Sequence, residues 1–146
     1  MSAPVFVDTN VLICALDDGD VKKQERAQQW RRELWESRRG RVSFQVLEEF
    51  YVKVARKWPA ARIEARAEVR DLLAWRPVAV DPGLMVQGWR LEDRYDLSFR
   101  DALIVAAAKA ASCRYLLSED FPDKQDFDGV MVVDPFAHDP DKLPSK

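Results

Sequence analysis

The chain has a single histidine and two cysteines among its 146 residues. Metal centres built on imidazole or thiolate need several such residues at short spacing, and Cys14 and Cys113 show none. The lone His138 stands in the tail after Pro135, remote from any other candidate. No apolar run approaches the ~20 residues that cross a bilayer. The first strand begins so close to residue 1 that no signal or transit segment is expected. With both thiols expected to be reduced and packed, the reading is a cytoplasmic protein. Internal repeats, long linkers and low-complexity stretches are also missing. The economical expectation is one domain over 1–146, with a core of about 4–136 and a loosely held tail at 137–146.

What is present is charge and apolar patterning. The hydrophobic share is 47% and the charged share 33%, as in soluble globular proteins. A net charge of −2 conceals an asymmetry, because residues 22–71 hold 14 Lys and Arg against 8 Asp and Glu. The remainder is correspondingly acid-rich. A positive flank beside an acidic site suits a polyanion whose phosphate needs metal ions. Solvated helix faces explain such charges equally well, so the asymmetry alone does not establish nucleic-acid binding.

Apolar period and punctuation predict alternating strands and helices. Residues 4–7 read as a buried strand, and 11–16 as a short helix capped by Thr9 or Asn10. A helix over 21–38 places Ala27, Trp30, Leu34 and Trp35 on one stripe, with Gly40 as its C-terminal cap. A short strand at 42–44 precedes a helix over 46–58. Pro59 then starts another helix that runs through Trp75. Residues 77–80 read as an edge strand, because proline cannot donate to a central ladder. Helices at 82–94 and 98–111 and strands at 115–118 and 130–133 complete the order. Alternation of this kind implies an α/β sandwich with helices on both faces of a parallel sheet.

Carboxylates stand where these elements meet. Asp8 ends the first strand, Asp101 opens the Ala-rich helix, and Glu119 and Asp120 adjoin at a strand end. Glu48 and Glu49 lie early in a helix. Strand ends and helix starts share one edge of an open α/β sheet, where ligands bind. Acids converging there repel one another unless cations neutralise them. Each acid also has an ordinary explanation. Asp8 can cap the next helix, and Ser98-Phe99-Arg100-Asp101 has capping-box spacing. Periodicity does not choose between Glu48 and Glu49, nor between Glu119 and Asp120.

Their joint order is more specific. The fragments VFVDTNVL (5–12), SFQVLEEF (43–50), DLSFRDALI (96–104) and YLLSEDF (115–121) resemble the PIN domain over nearly the whole chain. Within that family the compact size is similar to the ribonuclease toxins of bacterial VapBC toxin–antitoxin pairs. The resemblance implies a PIN-like three-layer α/β/α sandwich with a central, mostly parallel sheet. It matches Asp8, Glu49, Asp101 and Asp120 to the four family acids, and Thr9, Asn10 and Ser118 to the polar residues lining them. Glu48 becomes a neighbour, and Glu119 is a departure from the usual pattern.

All-oxygen carboxylate ligands favour Mg²⁺ or Mn²⁺ over Zn²⁺. On this reading Asp8, Asp101 and Asp120 hold the metal, and Glu49 completes the shell or orients water. The implied reaction is hydrolysis of an RNA phosphodiester to 5′-phosphate and 3′-hydroxyl ends. Arg31, Arg32, Arg38, Arg39 and Arg41, with Lys53, Arg56 and Lys57, are candidates to track the RNA backbone. Trp30, Trp35, Tyr51 and Trp58 are candidates to stack on bases, although helical spacing favours packing. The resemblance further implies a homodimer and a groove for an antitoxin protein. Three rivals stand beside it: a silent PIN-type RNA- or protein-binding module, a DNA nuclease, and a phosphatase with Asp8 as nucleophile. The phosphatase chemistry usually needs a second Asp two positions on, where this chain has Asn10.

Overall fold

Strand β1 (Val5–Val7) carries three buried residues in succession. Successive strand side chains point to opposite faces, so both faces of this strand must be covered. The computed structural model, which describes residues 3–143, shows the cover on each side. Beside β1 in one sheet lie β2 (Gly40–Arg41), β3 (Tyr115–Leu117), β4 (Asp126–Phe127) and β5 (Val130–Val133). Their order is β2-β1-β3-β5-β4, and every pairing is parallel except that of β4 with β5. Helices α1 (Thr9–Cys14) and α2 (Val21–Glu36) join β1 to β2, and α3 (Phe44–Lys57), α4 (Arg62–Leu72), α5 (Pro82–Tyr95) and α6 (Phe99–Ala110) join β2 to β3, whereas β3 reaches β5 through β4. This is the expected α/β/α sandwich around a mostly parallel sheet.

Helix α6 is buried continuously from Ala102 to Ala108. A helix apolar on all sides belongs in an interior, and α6 lies between α5 and the β3–β5 part of the sheet. On the far flank Trp30 of α2 is fully buried, and its indole Nε1 donates to Pro135 O at 2.9 Å. Removing a buried tryptophan of this kind typically costs about 3–5 kcal/mol.

Several local expectations need correction. Gly40 does not cap α2. Arg38 takes the left-handed conformation instead (φ 60°), and Arg39 N–H closes the turn on Leu34 O at 3.1 Å. Gly40 opens β2, where a side chain would run into the Trp75 ring. The strands expected at 42–44 and 77–80 reduce to one parallel bridge between Ser43 and Val78. The helix expected through Trp75 breaks into single 3₁₀ turns at Pro59–Ala61 and Leu73–Trp75 on either side of α4. Strand β4 was not expected, yet Asp128 and Gly129 both have positive φ between it and β5. That pair is a strong two-residue hairpin signal. The stretch after Asp134 is also tied down. His138 Nε2 meets Asp123 Oδ2 at 2.8 Å, and Arg26 pairs with Asp139 at 2.9 Å. Residues 144–146 of the expected tail lie outside the described residues.

Candidate functional site

The register of the sheet builds the site. Val7 pairs with Leu117 and Leu117 with Val133, so Asp8 and Ser118 leave adjacent strands side by side. Asp8 has no exposed surface, and three donors satisfy it. Thr9 N–H donates to Oδ1 at 2.7 Å, Ser118 Oγ to Oδ2 at 2.8 Å, and Arg100 Nη2 to Oδ1 at 3.0 Å. Asp8, rather than Thr9 or Asn10, is therefore the N-cap of α1. Capping and site membership coincide in one residue. An Asp at a helix N-terminus also gains from the macrodipole.

The other acids arrive from separate elements. Glu49 comes from the second turn of α3, where it accepts Thr9 Oγ1 at 2.8 Å. Asp101 sits in the first turn of α6. Its N–H donates to Ser98 Oγ at 3.2 Å, while its carboxylate accepts Arg100 Nη1 at 3.1 Å. Asp120 follows β3, with its N–H on Ser118 Oγ at 3.1 Å and its Oδ2 taking Asn10 Nδ2 at 2.7 Å. All four acids and the three polar residues Thr9, Asn10 and Ser118 thus meet at one edge of the sheet.

Their neighbours diverge. Glu48 is exposed and lines an apolar cleft with Phe44, Leu47, Tyr51, Val69 and Leu73. Glu119 turns to Lys23, 2.8 Å away.

One member of the site was missed from sequence. The Arg100 guanidinium lies among the acids, bonded to both oxygens of Glu49 at 2.7 and 3.1 Å as well as to Asp8 and Asp101. Burial would lower its proton affinity, but the hydrogen bonds and charges of Glu49 and Asp8 outweigh this and raise it. Burial would likewise raise the Glu49 carboxyl, and the bonds from Arg100 and Thr9 hold it below the usual value. Asp120 behaves in the opposite sense. Partial burial and then the charge of Asp8 push it up, and Arg100 compensates only in part.

Four carboxylates against one guanidinium leave a net charge of about −3. The donors are all hard oxygens, so the set suits Mg²⁺ or Mn²⁺ in chemistry and in charge. Among the described residues, however, no three acids close around a single point at metal-holding distance. The Arg100 fork stands between Glu49, Asp8 and Asp101.

The basic stretch expected to track a polyanion is mostly elsewhere. Gly40 pairs with Val5 at the start of β1, so Arg38 and Arg39 flank the opposite edge of the sheet from Asp8. Three extended residues put roughly 10 Å of strand between the two edges. Arg31 is engaged by Glu68 at 2.8 Å and stacks over Trp35 and Trp75. Lys53, one turn beyond Glu49 on α3, is the cation of that set whose charge reaches the site. Trp30 is interior, which removes it as a base platform.

Fold and site together define a class: a mostly parallel α/β sandwich with four carboxylates gathered at one sheet edge. Residues 5–121 match the family model of the PIN domain, and the chain belongs to that family. Solved structures agree. VapC20 of Mycobacterium tuberculosis, a sarcin–ricin loop cleaving toxin, is 26% identical (TM-score 0.62; 80% of this chain and 91% of that one covered). A chain of a toxin–antitoxin complex from Klebsiella pneumoniae is 21% identical with TM-score 0.63, covering 90% of this chain and 97% of that one. A chain of FitAB bound to a DNA fragment is 19% identical with TM-score 0.69, covering 90% and 95%. The last two likenesses bear on the fold alone. No curated protein sequence matches the chain. No helix among the described residues is long and apolar enough to cross a membrane.

Proposed function

We propose that this chain is a divalent-metal-dependent endoribonuclease and the toxin of a toxin–antitoxin pair. The observation that carries the reading is the convergence of Asp8, Glu49, Asp101 and Asp120 from four separate elements onto one sheet edge. Membership of the PIN family and the likeness to VapC20, a sarcin–ricin loop cleaving toxin, support it.

Asp8, Asp101 and Asp120, with Glu49, would hold the metal. A bound Mg²⁺ or Mn²⁺ supplies a water of lowered pKa and polarises the phosphoryl oxygens. The protein's own part is positional. Ser118 and the helix cap lock the Asp8 carboxylate in one orientation. Thr9 fixes Glu49, which is placed to orient water, and Asn10 fixes Asp120. Lys53 stands where an RNA phosphate would approach from the α3 side.

Two surfaces suit the partners. The apolar cleft between α3 and α4, about 430 Å³, fits an antitoxin segment through Leu47, Val69 and Leu73. Met85, Val86 and Trp89 are exposed together on α5 and suit a homodimer contact.

The test uses the chain purified free of any partner, incubated with total RNA in Mg²⁺, Mn²⁺ or EDTA beside Asp8→Asn and Asp101→Asn. Cleavage is expected with either metal and with neither variant. Cleavage that persists in EDTA, or in either variant, overturns the reading.

A further inference from the structure

The Arg100 guanidinium uses Nε, Nη1 and Nη2 at once, on Glu49, Asp101 and Asp8 respectively, with further bonds to Glu49 Oε1 and to Thr9 Oγ1 at 3.3 Å. Among the described residues no other cation is hydrogen-bonded to these four acids. Lys23 and Lys57 are committed to Glu119 and Asp17. Three of the four acids touch Arg100, and the fourth, Asp120, reaches Asn10 instead. Both Glu49 oxygens and one oxygen each of Asp8 and Asp101 are therefore already held by the guanidinium. A metal that takes both Glu49 and Asp8 must compete with the fork for their negative charge, because a cation between two carboxylates repels a second one.

We propose that Arg100 is the internal counter-cation of the metal-free site, and that a divalent cation enters by taking the Glu49 and Asp8 oxygens from its guanidinium. This rests on the metal-dependent reading above and adds to it a residue that sets metal affinity. In the metal-free state Arg100 holds the acids together and keeps their repulsion from opening the edge of the sheet. In the metal-bound state it yields those contacts and swings toward solvent, which its partly exposed side chain permits. Metal affinity then depends on an exchange between two cations rather than on the acids alone. Arg100 is a positioning residue in this scheme.

The exchange is measurable without turnover. In the full wild-type chain, NMR of the arginine side chains follows the Arg100 Nε–H while Mg²⁺ is titrated. Backbone amides of Thr9 and Asn10 report occupancy independently. Before metal the Nε–H is protected by Glu49, and at saturation it is expected to shift and exchange faster with water. In parallel, calorimetry compares Mn²⁺ binding by wild type and Arg100→Gln. Because the metal then no longer has to displace the charge-assisted guanidinium bonds, Arg100→Gln is expected to bind at least about tenfold more tightly. The same variant is expected to melt lower in EDTA and to gain more from Mn²⁺ than wild type does. If Mg²⁺ saturates the site while the Nε–H stays protected, the inference is overturned. Equal or weaker Mn²⁺ binding by Arg100→Gln overturns it as well. If neither protein binds metal, the metal-dependent reading itself fails, an outcome distinct from both.

Discussion

Asp8 offers the sharpest test because it is a helix cap, a buried ion-pair partner and a candidate ligand at once. Consider Asp8→Ala against Asp8→Asn, both in EDTA. Alanine removes the acceptor of Thr9 N–H, Ser118 Oγ and Arg100 Nη2 in a place with no solvent access. Losing the cap costs about 1 kcal/mol. Leaving a charged and a neutral donor without their buried acceptor adds about 2–4 kcal/mol. One effect runs the other way. Removing one of four like charges relieves Asp120, whose carboxyl is pushed up by partial burial and then by the charge of Asp8. That relief acts at an exposed group and is therefore the smaller term. The net expectation for alanine is a loss of about 3–4 kcal/mol, or roughly 10 °C in melting temperature. Asparagine keeps an oxygen for Thr9 N–H and an amide that can donate to Ser118 Oγ, and Arg100 retains Glu49 and Asp101. Its cost is expected to be no more than about 1.5 kcal/mol, because charge relief offsets the lost ion pair. Urea unfolding followed by circular dichroism separates the two. Equal losses, or an alanine loss below about 1 kcal/mol, would refute the account of Asp8 as a buried hub.

Three further expectations follow from the neighbours. Glu49→Gln should slow RNA cleavage by at least about a hundredfold, as loss of a water-orienting carboxylate does, whereas Glu48→Gln should leave the rate unchanged; single-turnover cleavage distinguishes them. Glu119→Gln should preserve cleavage and cost at most about 0.5 kcal/mol, since its pairing with Lys23 is half-exposed; a lost activity on this variant would place Glu119 in the site. Asp120 is raised above the ordinary aspartate value of 3.8, so the folded chain holds its proton more tightly than the unfolded one. Metal-free stability therefore falls as pH rises from that value through the raised one. Glu49 has the opposite sign, and its contribution is lost as pH falls from the ordinary 4.5 through its lowered value. Asp120→Asn should remove the first dependence and stabilise the metal-free chain above that window. Unfolding from about pH 3 to 7 checks it, and an unchanged or lower stability for the variant would count against the repulsion.

Apolar runs and helical spacing carried most of the fold. The β1 and β3 runs are buried on both faces, and that condition leaves a continuous hydrophobic signature. Short elements were less legible. Strand β2 is only Gly40–Arg41, and its position is set by pairing with Val5, a partner 35 residues away in the chain. The 77–80 segment looked like a strand, but Pro77 interrupts its donors and a single bridge at Val78 remains. The tail was expected to be loose because it is rich in proline. It is held instead by the carbonyls of Pro135 and His138, which accept the Trp30 indole N–H. Backbone acceptors carry no side-chain signal, so composition could not announce them. The Asp128-Gly129 turn, by contrast, was available in the sequence and was passed over.

Arg100 is the instructive omission, because a local rule does mark it. It is the second residue of α6, in the first turn, where the positive end of the helix disfavours a cation. Adjacent residues on a regular helix do not share a face, yet Arg100 and Asp101 both belong to the cluster, Asp101 joining it through the Arg100 Nη1 bond. A basic residue placed against the macrodipole needs compensation from outside its helix. Here Asp8 and Glu49 provide it from two other elements. Acids gathered this closely repel one another unless a cation lies among them, and in the metal-free chain Arg100 is bonded to three of the four. The violation of helix preference and the crowding of acids are thus two sides of one arrangement. Element boundaries pointed to the acids and the family resemblance selected among them, while the fold shows what neutralises them.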